Sequence, residues 1–236
     1  MSPNGQPQRN VVLLTGATGM VGSQLMAKLL ASGVSVAVLA RDSVQRSRDP
    51  DRRTTISASG RIETLLSRFE SCPGRPLARP TVLCGDLTSD SLGLDPESLN
   101  WIAGHVNSVI HSAASLSFRP ASESSSGEPY RTNVLGTANL IKVCRDAGID
   151  DFHYVSTAYV CGLRSGRVFE ADHDCGQQFA NDYEHSKCQA ENLVRSESSW
   201  QSPTIYRPSI VIDSSGLSPV TEDRTVYGAY SLFETL

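Results

Sequence analysis

The chain has 236 residues, 39% of them hydrophobic and 19% charged, with a formal net charge of −4. That length fits one large domain or a domain with a small appendage. The mild acidity excludes the basic face of a nucleic-acid partner, no window approaches the roughly 18 apolar residues of a membrane span, and the leader MSPNGQPQRN lacks the apolar centre of a signal peptide. The six cysteines, Cys72, Cys84, Cys144, Cys161, Cys175 and Cys188, form no CxxC pair. Free thiols in a reducing, cytoplasmic setting are the simplest expectation.

Residues 1–9 read as a disordered leader. NVVLLTG is a continuous apolar run of strand length, as in a strand buried on both faces. GSQLMAKLLASG then places Leu25, Met26, Leu29 and Leu30 at helical spacing, with Gly33 as a stop. VSVAVLA, residues 34–40, is a second strand, and the polar, Arg- and Ser-rich residues 41–60 read as a loop. RIETLLSRFE predicts a helix; RPTVLCGDL contains a third strand and VNSVIHSAA a fourth. After the polar loop SFRPASESSSGEP, residues 130–148 predict a long helix ending at Gly148, and DFHYVST a fifth strand. DYEHSKCQAENLVRSES predicts a helix and PTIYRPSIVI a sixth strand. Apolar strands alternating with helices specify an α/β fold, a doubly wound parallel sheet covered on both faces.

Gly16, Gly19 and Gly22 fall where the first strand becomes the first helix. Glycines there permit a tight turn, close approach of backbone to a pyrophosphate, and close helix–strand contact. The helix N-terminus offers unpaired N–H groups and a favourable dipole to an anion. An ordinary glycine-rich turn would explain the pattern alone; the flanking strand and helix favour a dinucleotide cradle built from Thr15, Gly16, Thr18, Gly19, Met20, Val21 and Gly22. An NAD site places a carboxylate at the end of the second strand, about 20 residues on. Ala40 takes that place and Arg41 follows. A carboxylate repels a 2′-phosphate whereas a guanidinium binds it in bidentate fashion, so NADP(H) is the expected cofactor. Asp42 would meet a ribose hydroxyl if the register shifted by two. Arg46, Arg48, Arg52 and Arg53 read as solvated surface.

YEHSK places Tyr183 and Lys187 at i and i+4, on one helix face. A neighbouring ammonium stabilises a phenolate and would lower the Tyr183 pKa, which suits proton exchange with a carbonyl or alcohol. The fifth strand ends in Ser156 and Thr157, which point to opposite faces, so only one of the two hydroxyls serves a substrate carbonyl there. His173, Cys175, His185 and Cys188 are metal-ligating residue types, but their spacing argues against a zinc site and no metal is expected.

Together TGATGMVG, GDL at 85–87, HSAA at 111–114, NVLGT at 133–137, VSTAYVCG, YEHSK and YRPS resemble the extended short-chain dehydrogenase/reductase family over nearly all of residues 10–213. The GxxGxxG spacing is the form that group uses. IHSAASLSF, YVSTAYVCG, YEHSKCQAENLV and RPSIVIDSSG look closest to its thioester reductase and fatty acyl-CoA reductase branch, the male-sterility type, with IDSSG in place of that branch's GDS and glycine. The resemblance implies a Rossmann domain at 10–213 and, at 214–236, the start of a truncated substrate-binding region, most of which is expected to be absent. It implies Thr157 as the carbonyl donor, Tyr183 as the acid/base and Lys187 as the tuning cation, with Ser156 satisfying backbone. Asp86 and Leu87 would flank the adenine; His111, Ala113 and Ala114 would line the pyrophosphate and ribose. Asn133 would support the lysine through a water, and Arg207, Pro208 and Ser209 would pass near the nicotinamide. The implied activity is NADPH-dependent reduction of a carbonyl, in this branch that of an acyl thioester on coenzyme A or a carrier, within a larger multidomain chain. Nucleotide-sugar epimerases or dehydratases and hydroxysteroid-type dehydrogenases are the alternatives within the extended family; a cofactor-binding sensor or scaffold is the alternative of another class.

Overall fold

The computed structural model describes residues 10–46, 53–71, 76–118, 120–124, 126–200 and 202–212. Its principal elements are β1 (Val11–Thr15), α1 (Met20–Ala31), β2 (Ser35–Ala40), β3 (Ser43–Arg46), β4 (Arg53–Ile56), α2 (Ala58–Ser71), β5 (Thr81–Cys84), α3 (Pro96–His105), β6 (Val106–His111), α4 (Gly136–Asp146), β7 (Asp151–Val155), α5 (Asp182–Ser196) and β8 (Thr204–Tyr206). Six strands form one sheet in the order β5-β2-β1-β6-β7-β8, and every pair in it is parallel. The sheet winds outward from β1 in both directions, so β1 and β6 flank the point where chain direction reverses. In open parallel sheets the crevice beyond that point is the ligand-binding position.

Alternation along the strands supplies both faces. Leu14, Val36, Val38 and Ala40 meet Met26 and Leu30 of α1 and Ile62, Leu65 and Leu66 of α2. Leu13, Ala37, Leu39, Val109 and Phe152 meet Ile102, Leu140, Cys144, Ala190 and Val194 of α3, α4 and α5. Each fully buried aliphatic side chain contributes roughly 1.5–3 kcal/mol, so the two layers rather than the short strands carry the stability.

The loop expected over 41–60 contains an antiparallel hairpin, β3 against β4, and α2 begins at Ala58. The β-branched Val44, Thr54, Thr55 and Ile56 favour strand, a signal outweighed in the sequence by the arginines between them. α3 was not expected; Asp95 caps it by accepting from Ser98 N–H at 2.7 Å, with Pro96 in its first turn. The long helix expected over 130–148 starts as a π-helical turn, Arg131–Leu135, before α4. The sixth strand stops at Tyr206, although the backbone runs on beside the end of β7: Ser156 N–H donates to Tyr206 O and Ala158 N–H to Pro208 O, both at 2.8 Å. The leader at 1–9, residues 214–236, Cys72, Arg48 and Arg52 lie outside the described residues, as do the side chains of Arg46 and Arg53. Among the described residues no helix is long and apolar enough to cross a membrane.

Candidate active site

The turn after β1 is built on two glycines. Gly16 has φ +75°, and a Cβ on it would lie 2.6 Å from Ala113 N; a Cβ on Gly22 would lie 2.1 Å from Gly16 O. The turn therefore presses against the chain leaving β6, and α1 presses against the turn. Gly16 O accepts from Gly19 N–H at 2.9 Å, closing the loop. No side chain caps α1 and no acid occupies its first turn, so the N–H groups at Met20 and Val21 face no competing protein anion. This end fits a pyrophosphate.

His111, expected to line the ligand, is instead fully buried behind the loop. Thr137 Oγ1 donates to Asn133 O at 2.6 Å, so it accepts from His111 Nε2 at 2.9 Å. Nδ1 is then the acceptor and takes the Thr15 hydroxyl proton at 2.7 Å, while Thr15 Oγ1 accepts from Ala113 N–H. The chain of donors fixes one neutral tautomer. Burial, with Lys187 nearby, pushes the His111 pKa down to about 3. Leu87 is also a correction: it is buried in the core near Gly136, so its side chain is not placed as an adenine wall. Ala113 is partly buried and Ala114 exposed beside the loop.

At the end of β2, Arg41 is largely exposed, its Nη1 3.6 Å from Asp86 Oδ2. Burial opposes ionisation of Asp86, but the Thr88 N–H and hydroxyl together with Arg41 hold its carboxyl below the usual range. Asp42 turns away: its Oδ1 accepts from Ala58 N–H at 2.8 Å, at the start of α2. Arg61 was missed by sequence reasoning. It reaches back from α2 to Arg41 O at 2.7 Å and Thr18 Oγ1 at 3.3 Å. Burial and the neighbouring Arg41 cation lower its pKa despite Asp42, so this corner holds two guanidiniums beside the phosphate cradle. The predicted helix that Arg61 begins was visible in the sequence; its docking on the glycine loop was not.

At the end of β7, Thr157 is 5% exposed and Tyr183 8% exposed, and the Thr157 side chain hydrogen-bonds Tyr183. Ser156 points the other way and donates to Glu191 Oε2 at 2.8 Å, a carboxylate rather than the backbone expected for it. Burial raises the Tyr183 pKa, against the pull of Thr157. This corrects the expectation that Lys187 lowers it: the Lys187 ammonium donates to Val155 O at 2.8 Å and lies 4.2 Å from the centre of the Tyr154 ring. Only 2% exposed, Lys187 is itself pushed down to about 7 by burial, with Glu191 pulling upward.

Asn133 sits in the π turn, where an irregular helix re-aims a side chain. Its Oδ1 accepts from Ser115 N–H, and its Nδ2 donates to Ser115 O and to Ser186 Oγ. Both amide protons are engaged, so Asn133 supports Lys187 through the helix residue beside it rather than by donating to a bridging water. Pro208 lies beside Ala158 and Ser209 is exposed. Arg207 turns instead into Glu191, which Arg195 and Ser156 also hold. Among the described residues no group of three or more His, Cys, Asp or Glu side chains is placed to hold a metal ion.

The arrangement provides a glycine loop suited to an anion, a cationic corner, and a buried Thr–Tyr–Lys set at the C-terminal end of the interior strand β7. A family model described as male sterility protein matches residues 14–235. An isonitrile lipopeptide synthase of Mycobacterium tuberculosis is 31% identical over 173 residues, 73% of this chain and 7% of that protein. A putative fatty acyl-CoA reductase of Drosophila melanogaster is 26% identical over 85% of this chain and 40% of its own length. The solved reductase domain of a nonribosomal peptide synthetase from Mycobacterium tuberculosis superposes with a TM-score of 0.66 at 25% identity, covering 89% of this chain and 50% of that one. The chain thus spans at most half the length of these relatives.

Proposed function

The chain belongs to the male sterility protein family of extended short-chain dehydrogenases/reductases, and on that premise we propose that it reduces the carbonyl of an acyl thioester, on coenzyme A or a carrier, with NADPH. The observation that carries this reading is the pairing of Thr157 with Tyr183 above Lys187. Bound NADPH supplies the hydride that adds to the carbonyl carbon. Thr157 donates a hydrogen bond to the carbonyl oxygen, and Tyr183 gives its proton to the oxyanion as charge develops. The raised Tyr183 pKa keeps the phenol protonated at neutral pH, as a donor requires. The resulting hemithioacetal returns its hydroxyl proton to Tyr183 as the C–S bond breaks, leaving an aldehyde and a thiolate that takes up a proton from solvent; reduction to the alcohol would draw its hydride from a second NADPH. Lys187, on the same helix as Tyr183, rests against Val155 O, its pKa brought down to about 7 by burial.

The preference for NADPH rests on Arg41 and Arg61 at the end of β2, with Asp42 engaged at α2 and so turned from a ribose hydroxyl. Thr18, through Arg61, joins this corner to the loop. The test is thioester-dependent NADPH consumption with aldehyde detected. Tyr183→Phe is expected to lower kcat by about 10²–10⁴ while NADPH still binds. Equal turnover by the variant would remove Tyr183 from its role.

A further inference from the structure

The sequence marks Tyr154 only as part of the fifth strand, and the proposed reduction gives it no part. Along β7 Phe152, Tyr154 and Ser156 alternate onto one buried face. Tyr154 pairs across the sheet with His111, and the two rings lie 5.5 Å apart. Thr15 and Thr137 brace that imidazole, so the tyrosine ring packs beside a fixed neighbour. On α5 it meets the Lys187 ammonium, which lies 4.2 Å from the ring centre. Among the described residues the Tyr154 hydroxyl has no hydrogen-bond partner. Thr137, its polar neighbour, has already given its hydroxyl proton to Asn133 O. What this side chain offers the site is therefore the face of its ring.

A buried ammonium needs groups that replace its water. Val155 O accepts one of the three Lys187 protons. Glu191 lies one turn further along α5, but Arg207, Arg195 and Ser156 all engage its carboxylate. Tyr183, one turn back on the same helix, is a phenol that burial keeps protonated. From β6 His111 faces the lysine as a neutral ring. The Tyr154 ring supplies what these groups do not, the negative face of an aromatic quadrupole. We propose that Tyr154 is a positioning residue of the reductase site: its ring face receives the Lys187 ammonium and, with Val155 O, holds it as a cation at the end of β7. The proposal rests on the reading of Tyr183 and Lys187 as the reducing pair. Burial, opposed by Glu191, brings Lys187 down to about 7. A tenfold change in preference for the charged form therefore alters its state at neutral pH.

The chain has three lysines, Lys28, Lys142 and Lys187, and the first two are exposed. Lysine labelled with carbon-13 at Cε lets NMR follow Lys187 through a pH titration, with Lys28 and Lys142 as internal controls and without cofactor or thioester. Tyr154→Phe keeps the ring and drops the idle hydroxyl, so the Lys187 midpoint should stay at the parent value. Mono-, tri- and pentafluorophenylalanine at position 154 keep the ring's shape while weakening and then reversing the charge on its face. The midpoint should fall at each step, by about one pH unit or more in all, the tenfold scale of a desolvated cation–π contact. In thioester reduction the charged lysine is lost as pH rises, so the alkaline limb of kcat should move to lower pH in the same order, with Tyr154→Phe keeping the parent profile. Equal midpoints across the ring series, or a limb that ignores the ring, overturn the proposal. A falling midpoint in a chain that reduces no thioester leaves the contact standing and removes the reductase reading.

Discussion

His111 gives the sharpest quantitative expectation. Its native pKa of about 3 lies well below the roughly 6.5 of an unfolded histidine. Between those values the unfolded chain binds a proton that the native chain does not, so stability falls as pH drops through 6.5 toward 3 and is fully present above 6.5. Each pH unit at full difference is worth about 1.36 kcal/mol; integrated from pH 6.5 to 5, the two titrations differ by roughly 1–2 kcal/mol. That window lies above the ordinary carboxylate range, where Glu191 and Asp86, with lowered pKa values, begin to lose their own contributions. Chemical denaturation at half-unit steps from pH 7 to 5 measures the slope. In His111→Gln, which retains hydrogen-bonding groups toward Thr15 and Thr137, the absolute stability is lower, but the slope over this window should shrink by the same amount. Identical slopes in the two proteins would refute the neutral, doubly bonded histidine.

Gly22→Ala, with 2.1 Å between its Cβ and Gly16 O, should displace α1 from the loop and abolish cofactor fluorescence enhancement; unaltered binding would mean the loop is not the cradle. Arg41→Ala and Arg61→Ala should each weaken NADPH binding by about 10- to 150-fold, the value of one hydrogen bond to a charged group, and leave NADH nearly unaffected, as titration would read. Glu191→Gln removes the partner of Arg207 and Arg195 in a site where Glu191 is 3% exposed; breaking such a pair costs about 3–5 kcal/mol, visible as a lower denaturation midpoint at pH 7.

The parallel α/β class, the glycine turn and the i, i+4 placement of Tyr183 and Lys187 on one helix were legible because each rests on local spacing. Leu13 and Leu14 had to face opposite layers, and Gly16 had to turn where an apolar strand met a helix. What the sequence did not disclose was direction at the third level of structure. Thr15 and Thr137 lie 122 residues apart in the numbering yet share one imidazole, and only that meeting turns His111 from ligand wall to internal brace. Arg61 lies in α2 and Arg207 just past the end of β8; the first folds back onto the loop and the second into a buried carboxylate. Nothing in their neighbours' identities separates those fates. The hairpin β3–β4 and helix α3 were missed for a simpler reason, since neither contributes the apolar periodicity that marks the central strands.

The π turn at Arg131–Leu135 also has a genetic meaning. A wide turn holds more chain per revolution than the α-helix that follows, so it is a place where one codon can be lost while the helix stays continuous. Relaxation to α-helical winding would rotate the preceding residues by about 100° and carry the Asn133 amide away from Ser115 and Ser186. A single-residue deletion there would leave a folded chain with its site unmade, a lesion in function separable from one in stability.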